Sequence, residues 1–465
     1  MVLKCAKCGL EFPLHPLKSK CEKCGATLEY KIVLHRSRKI KFSGPIRFWR
    51  YRTLLPSVQH VISLGEGGTP LHRANRLAES VGLEGLYLKD ETRNPTNSYR
   101  DRAAALLTSN AIDLHYDTLV CATNGNMGSS LAAYCAKAGL ACHVIVPKLV
   151  DVGKLAQMLV YDAFIEEFGE ILDDSIRKAE ALVKETGWYQ ATAESNPLVI
   201  EAQKTISYEV YEQFGIPDWF IVSMGNGGTI YSIWKGFKEL KQLGITKSLP
   251  KMIGVQAEGS ASIAKALESH SELTKTLKPS THALAILVGE PLQGELAIKA
   301  VKESNGLALT VSDSEIFSAE LQVAKLEGMF AEPASSATIA ALKKVIEKGE
   351  INGSDNVACL ITGSGLKATD VLQALTKRQK IAILGLELST KEKILQILRK
   401  KDTYGYDLWK KLGETMTRAA IYQHLNELSE KGLIVGYEKG GRRFFKITER
   451  GRKVLRAMDD LKLLL

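Results

Sequence analysis

Between residues 40 and 375 short β-branched or aromatic runs alternate with amphipathic stretches, and this alternation constrains the chain more than any other feature. Leu86-Tyr87-Leu88, Thr118-Leu119-Val120-Cys121, His143-Val144-Ile145-Val146, Trp219-Phe220-Ile221-Val222, Ile253-Gly254-Val255-Gln256 and Val357-Ala358-Cys359-Leu360-Ile361 read as strands. Segments 101–113, 128–138, 174–187 and 199–213 carry apolar residues at helical spacing. Strands separated by helices pair in parallel and are covered on both faces, so the expected class is α/β. Ligands of such folds bind at the carboxyl ends of the strands.

Three glycine-rich loops fall at those ends: Thr123-Asn124-Gly125-Asn126-Met127-Gly128, Gly225-Asn226-Gly227-Gly228-Thr229 and Thr362-Gly363-Ser364-Gly365-Leu366-Lys367. The middle one leads into a helix from about Ile230, an arrangement that lets backbone N–H groups and the helix N-terminus converge on a phosphate. One such loop alone is often only a turn. Three, expected on successive strand ends of one sheet, imply a single phosphate-bearing ligand.

Eight cysteines divide into two sets. Cys121, Cys135, Cys142 and Cys359 sit in apolar surroundings and read as small core residues. Cys5-Ala-Lys-Cys8-Gly9 and Cys21-Glu-Lys-Cys24-Gly25 are two CxxC knuckles. Two residues between thiolates let one tight turn aim both sulfurs at a metal, and two such turns complete a tetrahedral sulfur shell suited to structural zinc. A redox pair or an iron site is the alternative.

These features meet in a known family. Gly65-Glu66-Gly67-Gly68-Thr69-Pro70-Leu71, Lys89-Asp90-Glu91, Asn94-Pro95-Thr96-Asn97-Ser98-Tyr99-Arg100-Asp101-Arg102, the three loops and Glu332-Pro333-Ala334-Ser335-Ser336-Ala337 resemble, in order, the motifs of threonine synthases. Coverage runs from the cysteine knuckles to about residue 375. The resemblance implies a fold-type II pyridoxal-phosphate (PLP) body of two lobes, residues 39–380, behind a zinc ribbon at 1–38. It further implies that Gly225, Asn226, Gly227, Gly228 and Thr229 hold the cofactor phosphate, that Asn126 faces its 3-hydroxyl and that Thr362 faces its pyridine nitrogen.

One position departs decisively. Arg100 stands where the family has the lysine that binds the cofactor aldehyde as a Schiff base; Asn97 replaces glycine and Tyr99 phenylalanine in the same segment. A Schiff base needs a neutral primary amine, and a guanidinium stays protonated, its pKa lying above about 12. The proton-moving base is lost with the anchor. Arg100 offers instead a planar fork for a carboxylate or phosphate. Asn124 and Ser364 are secondary departures. Lys89 and Lys367, the nearest lysines of the motifs, belong to non-catalytic places in the family. With the glycines, Asn126 and Thr362 retained, the expectation is a binding site without catalysis, in which Ser98, Thr123, Asn124 and Arg100 touch the ligand. That ligand is PLP or a PLP adduct held non-covalently, a small phosphorylated compound or an amino acid.

The charge points to a second activity. Residues 388–465 hold 18 Lys and Arg against 10 Asp and Glu, so of the whole-chain net of +10 they carry nearly all. A basic segment of this kind suits a polyanion, although a solvated tail is the plainer reading. A helix is expected from Ser389 or Thr390 to about Lys401, a second over 404–409 and a third over 417–430, with Ile394, Leu395, Leu398, Ala420, Ile421, Leu425 and Leu428 inward. Strands at 433–438 and 443–448 follow, joined by Lys439-Gly440-Gly441-Arg442. This order resembles small winged-helix repressors. The resemblance implies that the third helix, with Thr417, Arg418 and Tyr422, enters the major groove of DNA while Lys439, Arg442 and Arg443 meet phosphates. Protein contact is the alternative use. Residues 448–465 place Val454, Leu455, Met458, Leu461 and Leu464 at helical spacing, for the core or for pairing two subunits in a homodimer.

No run of eighteen apolar residues is present and the start lacks an apolar leader, so a cytoplasmic protein without membrane contact is expected. Three functions follow: a ligand-sensing transcriptional regulator, an active PLP-dependent lyase with an appended winged helix, and a scaffold. Position 100 separates the first two; the basic tail separates the first from the third.

Overall fold

The computed structural model describes residues 2–14, 20–32, 42–368, 385–412, 417–440 and 442–455, the side chains of 385–389, 418, 419 and 442 excepted. The chain divides into two compact units, Met1–Asp370 and Val371–Leu465.

The first unit opens with a small antiparallel sheet. Strand β1 (Val2–Cys5) lies between β2 (Glu11–Phe12) and β3 (Leu28–Lys31). Its alternation buries Leu3, Cys5, Leu28 and Tyr30. Polar ties hold it to the body: Thr27 Oγ1 donates to the Leu292 carbonyl at 3.2 Å and Lys235 Nζ to the Tyr30 carbonyl at 2.7 Å.

The body contributes β4 (Leu71–Arg73), β5 (Gly85–Asp90), β6 (Thr118–Ala122), β7 (Ala141–Val146), β8 (Phe164–Glu167), β9 (Tyr189–Gln190), β10 (Trp219–Ser223), β11 (Lys251–Ala257), β12 (Leu307–Val311) and β13 (Asn356–Ile361). They form two sheets. The larger has the order β12-β11-β10-β13-β5-β4, parallel except for edge strand β4; the smaller is β8-β7-β6-β9, all parallel. Every residue of β10 is buried, as expected where helices cover both faces. One core, with Leu86, Ile221, Val255, Ala337 and Cys359, fills one face of the larger sheet; another, with Phe220, Ile233, Phe237 and Leu360, fills the other.

The six expected strands are present, and β4, β8, β9 and β12 join them. The expected helices become Arg100–Asp113, Asn126–Ala138 and Leu172–Thr186. Segment 199–213 is a correction: it breaks into Leu198–Gln203 and Thr205–Gln213. At the break Thr205 Oγ1 donates to the Ala202 carbonyl at 2.6 Å, and buried Lys204 reaches Glu201 and Glu239 at 2.6 and 3.0 Å. A second correction concerns the loops. Those at 225–229 and 362–367 follow β10 and β13 of the larger sheet, but the loop at 123–128 follows β6 of the smaller one. They come from two lobes facing each other, because the first loop's strand pairs with β7 and β9 rather than with the larger sheet.

The second unit is a winged helix: helices Gly385–Lys400, Gly405–Lys411 and Arg418–Glu430, then β15 (Ile434–Lys439) and β16 (Arg442–Ile447). A short β14 (Thr403–Tyr404), invisible to period counting at two residues, pairs with β16. Lys439 and Arg442 pair in register, so each strand of the hairpin reaches one residue nearer the turn than read from sequence. Ile394, Leu395, Leu398, Ile421, Leu425 and Leu428 are buried as expected, with Leu408, Phe445 and Leu455; Ala420 is half-buried. Val454 is half-buried, while Met458, Leu461 and Leu464 lie outside the described residues.

Candidate functional site

Between the two lobes lies a cavity whose wall includes Arg100, Thr123, Asn124, Asn126, residues 225–229 and Thr362. It thus brings together the ligand-contacting residues expected from sequence, with one exception. Ser98 is fully buried and does not line the cavity; its hydroxyl accepts from the Arg100 N–H at 3.2 Å, at the start of the helix.

The backbone explains why Arg100 reaches the site. Segment 97–99 is laced to the last loop: Tyr99 N–H donates to the Thr362 carbonyl and Ser364 N–H to the Asn97 carbonyl, each at 3.0 Å, with Ser98 bridging Gly363. Asn97 adopts φ 61°, a left-handed conformation that asparagine tolerates better than most side chains, so the glycine of the family is replaced without changing the turn. Its side chain donates to the Thr92 carbonyl. Ser364 caps the short turn that follows, accepting from Leu366 N–H.

At the first loop, Thr123 Oγ1 accepts from Gly125 N–H, and Asn124 Nδ2 donates to the carbonyls of Leu284 and Leu287 at 2.9 and 3.2 Å. Their polar groups therefore also hold the wall together. Asn126 Nδ2 donates to both oxygens of Glu332 at 3.0 Å, while its Oδ1, on a side chain only 7% exposed, has no partner. Thr362 Oγ1 pairs with Ser335 Oγ at 2.7 Å.

The second loop is shaped for an anion. Gly227 has φ +95°, and a Cβ on Gly228 would lie 1.9 Å from Gln293 Oε1, so neither position accepts a side chain without a shift. Helix Gly228–Gln242 starts there, and the N–H groups of its first turn have no intrahelical acceptor. Asn226 fastens the loop from behind, its Oδ1 accepting from Leu292 N–H and its carbonyl from Gln293 N–H.

Sequence reading missed Glu194, Gln203 and Gln293 in the wall and treated Tyr99 and Glu332 only as motif residues. Gln203 Nε2 is unpartnered on a side chain 1% exposed. Glu194 accepts from Asn226 Nδ2 at 3.2 Å; burial pushes its carboxyl up, partly offset by the Arg100 charge. Glu194 lies in a turn, Gln203 ends helix Leu198–Gln203 and Gln293 precedes helix Gly294–Glu303, and no motif marks them. Arg100 makes no ion pair within 4 Å among the described residues; its guanidinium rests 4.8 Å from the Tyr99 ring centre.

The lysines nearby are engaged elsewhere. Lys89 Nζ, pushed down by burial, donates to Glu209, Gln213 and the Thr69 carbonyl. Lys367, pushed down to about 8 by burial, donates to the Thr96 carbonyl at 2.8 Å. Burial pushes the Lys154 ammonium down, but Glu332 and Asp151, which face it, outweigh this and hold it above its usual range. None of these three lines the cavity. The residues present fit PLP at its phosphate end, through the loop and helix terminus, and offer the orphaned Asn126 Oδ1 to a ring substituent. They do not offer the amine for a covalent link.

In the N-terminal sheet the four thiols of Cys5, Cys8, Cys21 and Cys24 lie within 4.8 Å of one another, a grouping that suggests a structural metal. Cys121, Cys135, Cys142 and Cys359 are buried and free.

In the winged helix Thr417 caps the third helix, its Oγ1 accepting from Ala420 N–H at 3.3 Å. Tyr422 is 43% exposed, its ring lying over Gly405, whose absent side chain makes the room. Lys439 and Arg443 are exposed on the hairpin. The side chains of Arg418 and Arg442 lie outside the described residues. No described helix is long and apolar enough to cross a membrane.

Comparison with known proteins agrees with both halves. Residues 62–363 match the pyridoxal-phosphate dependent enzyme family and residues 394–457 the transcriptional regulator PadR-like family. The threonine synthase of Methanosarcina acetivorans is 39% identical over 373 residues, covering 78% of this chain and 92% of that protein. That of Methanocaldococcus jannaschii is 39% identical over 381 residues, covering 80% and 94%. The crystal structure of serine racemase from Dictyostelium discoideum shares the fold at a TM-score of 0.54 and 23% identity, over 64% of this chain and 92% of that one. The chain belongs to the pyridoxal-phosphate dependent enzyme family as a relative of the threonine synthases, and it carries a PadR-like winged-helix domain at its C-terminal end.

Proposed function

We infer that this protein is a ligand-sensing, DNA-binding transcriptional regulator whose sensor is a threonine-synthase-like body without catalytic power, linked to amino-acid or PLP metabolism. One observation carries the reading: among the described residues that line the cavity there is no lysine, and Arg100 occupies the place of the amine.

PLP, when bound, supplies an electrophilic aldehyde and an electron-withdrawing ring. Towards it the loop at 225–229 would hold the phosphate, Asn126 the 3-hydroxyl and Thr362 the ring nitrogen. A phosphorylated amino acid would use the same loop. Arg100 cannot give up its proton to accept one from a substrate carbon, so the site holds and orients but does not exchange protons there. Zinc on the four cysteines stiffens the ribbon packed against the body. Two copies present two winged helices to DNA, the third helix of each in a major groove, Lys439, Arg442 and Arg443 on phosphates. Ligand closure of the lobes shifts which arrangement of those helices prevails.

The test is phosphate release from phosphohomoserine by the purified protein with added PLP, beside Arg100→Lys. A silent wild type, with DNA binding that changes on adding PLP or phosphohomoserine, supports the regulator. Turnover at an enzyme-like rate by the wild type sinks it and revives the alternative, an active PLP-dependent threonine synthase or related lyase with an appended winged helix.

A further inference from the structure

The two cysteine knuckles are tied, hydrogen bond by hydrogen bond, to the loop at 225–229. Ala6 N–H of the first knuckle donates to the Thr27 carbonyl at 3.1 Å, and Cys21 N–H of the second to the Ala26 carbonyl at 2.8 Å. Thr27 Oγ1 in turn donates to the Leu292 carbonyl at 3.2 Å. On the far side of the same short segment, Leu292 N–H donates to Asn226 Oδ1 and Gln293 N–H to the Asn226 carbonyl, each at 3.1 Å. Gln293 Oε1 lies against Gly228. Pro291-Leu292-Gln293 is thus clamped between the knuckles and the loop.

A second tie runs through β3. Glu29 accepts from the Tyr231 hydroxyl, and the Tyr30 carbonyl accepts from Lys235 Nζ at 2.7 Å. Tyr231 and Lys235 belong to helix Gly228–Gln242, whose N-terminus is the end of the loop. Buried Lys235 also reaches fully buried Glu201 at 2.6 Å, on helix Leu198–Gln203, which carries Gln203 to the cavity wall. Lifting β3 away would open this pair to water and free the Tyr231 hydroxyl.

The ribbon has little of its own to fold on. Among its described residues the buried apolar ones are Leu3, Phe12, Leu28 and Tyr30, with Cys5 and Cys21, and their core runs on into Tyr189 and Leu198 of the body. So small a core does not offset the entropy of ordering the strands, and four-cysteine modules take that free energy from the metal.

We propose that the metal on Cys5, Cys8, Cys21 and Cys24 is a second input to the protein. Its occupancy sets the order of the 225–229 loop, through Thr27, Leu292 and Asn226 and through β3 on helix Gly228–Gln242. An anion on the loop then tightens the metal by the factor by which the metal tightens the anion, because both equilibria close one cycle. This goes beyond the reading of the body as a small-molecule sensor, and it needs no ligand to be tested.

The experiment follows amide hydrogen exchange in the full chain, loaded with zinc or stripped by a zinc chelator, with metal content recorded for each sample. Stripping the wild type should speed exchange in peptides spanning 224–235 and 290–294 about tenfold, while β6 and β7 keep their protection. The double variant Thr27→Val, Tyr231→Phe cuts both ties and leaves all four cysteines. It should still bind zinc, show the faster exchange at the loop even when loaded, and change little there on stripping. Equal exchange at the loop in loaded and stripped wild type overturns the proposal. So does a difference on stripping that the double variant retains in full, which includes a body that opens throughout once the metal leaves. In titration calorimetry, inorganic phosphate should bind the loaded wild type about fivefold or more tightly than the stripped form, with the reciprocal gain in zinc affinity. Phosphate bound equally by both forms overturns the proposal. A loaded chain that exchanges as expected but binds no phosphate sinks the loop's phosphate role and upholds the coupling.

Discussion

The sharpest energetic test of the body lies beneath the site, at Glu209. This carboxylate is fully buried and accepts from Lys89 Nζ at 2.7 Å, from Arg102 Nη2 at 2.9 Å and from Gly68 N–H at 2.9 Å. Arg102 also binds Glu91 at 2.7 and 2.8 Å, and it sits one residue pair into the helix that begins at Arg100. Glu209→Gln keeps the shape and removes the charge. Breaking one side of a buried ion pair typically costs about 3–5 kcal/mol. Arg102 keeps Glu91, and Lys89, already pushed down by burial, sheds its proton more readily than an ordinary lysine. Both reliefs favour the lower end, about 3 kcal/mol, which for a unit that runs from Met1 to Asp370 lowers the melting temperature by roughly 4 °C. Scanning calorimetry of the full chain reads this in the body's transition while the winged helix melts separately. The pH dependence has a defined sign. Burial pushes the Glu209 carboxyl up, but Arg102 and then Lys89 outweigh it and hold the group well below the usual carboxylate range. Its stabilisation is therefore complete above the unfolded value of about 4.3 and is lost as pH falls toward the folded one. Wild type and variant should differ most near neutrality and converge in acid. A variant that melts within 2 °C of wild type at neutral pH, by about the precision of such a comparison, refutes the network as a fastening of the helix that carries Arg100.

Other outcomes follow from single features. Cys8→Ser removes one thiolate from the cluster and should reduce bound zinc, measured by atomic emission, from one equivalent to a small fraction, because three ligands leave a structural site open. Gly228→Ala pushes a methyl into Gln293 and should abolish binding of inorganic phosphate in calorimetry while the far-ultraviolet dichroism stays the same. Lys439→Ala should weaken DNA binding uniformly across sequences and flatten the dependence of log K on log salt by about 0.9 if the side chain neutralises one phosphate.

Much of this was readable before any coordinates, and the limits have physical causes. The β-branched runs at 118–121 and 219–222 became buried parallel strands, each paired on both sides, as a continuous apolar run suits. The cavity's loops were legible since glycine after a strand is a local signal. Their assignment to one sheet failed because nothing local in Thr123-Asn124-Gly125 tells which sheet its strand joins; β6 pairs with β7 and β9 through contacts up to 70 residues away. Glu194 and Gln203 went unseen for a related reason. Each sits among other polar residues with no local pattern to single it out, Glu194 in a turn and Gln203 at the end of helix Leu198–Gln203, and only the tertiary packing brings both to the cavity wall. Ser98, expected at the ligand, turned inward because the helix start at Arg100 needed an acceptor for its N–H. The two-residue strand β14 is too short to carry a period.

If the body is a sensor, its coupling to DNA must run both ways, and that gives the regulator reading its strictest test. A ligand shifts an equilibrium between two states only by its difference in affinity for them, however tightly it binds. Coupling between sites typically amounts to about 1–3 kcal/mol, a five- to 150-fold change in affinity. Suppose phosphohomoserine or PLP loosens DNA binding about twentyfold; saturating DNA must then loosen that ligand by the same factor, since both changes close one thermodynamic cycle. The full-length protein can be used to select duplexes from a random pool, and the best of them titrated with and without ligand. Ligand is then titrated with and without that duplex at the same salt, because phosphate contacts make every DNA affinity salt-dependent. Equal factors in the two directions are expected. A ligand that binds the cavity yet leaves DNA affinity unchanged has no differential hold on the two states, and the winged helix would then be an appended domain whose DNA is chosen without reference to the pocket.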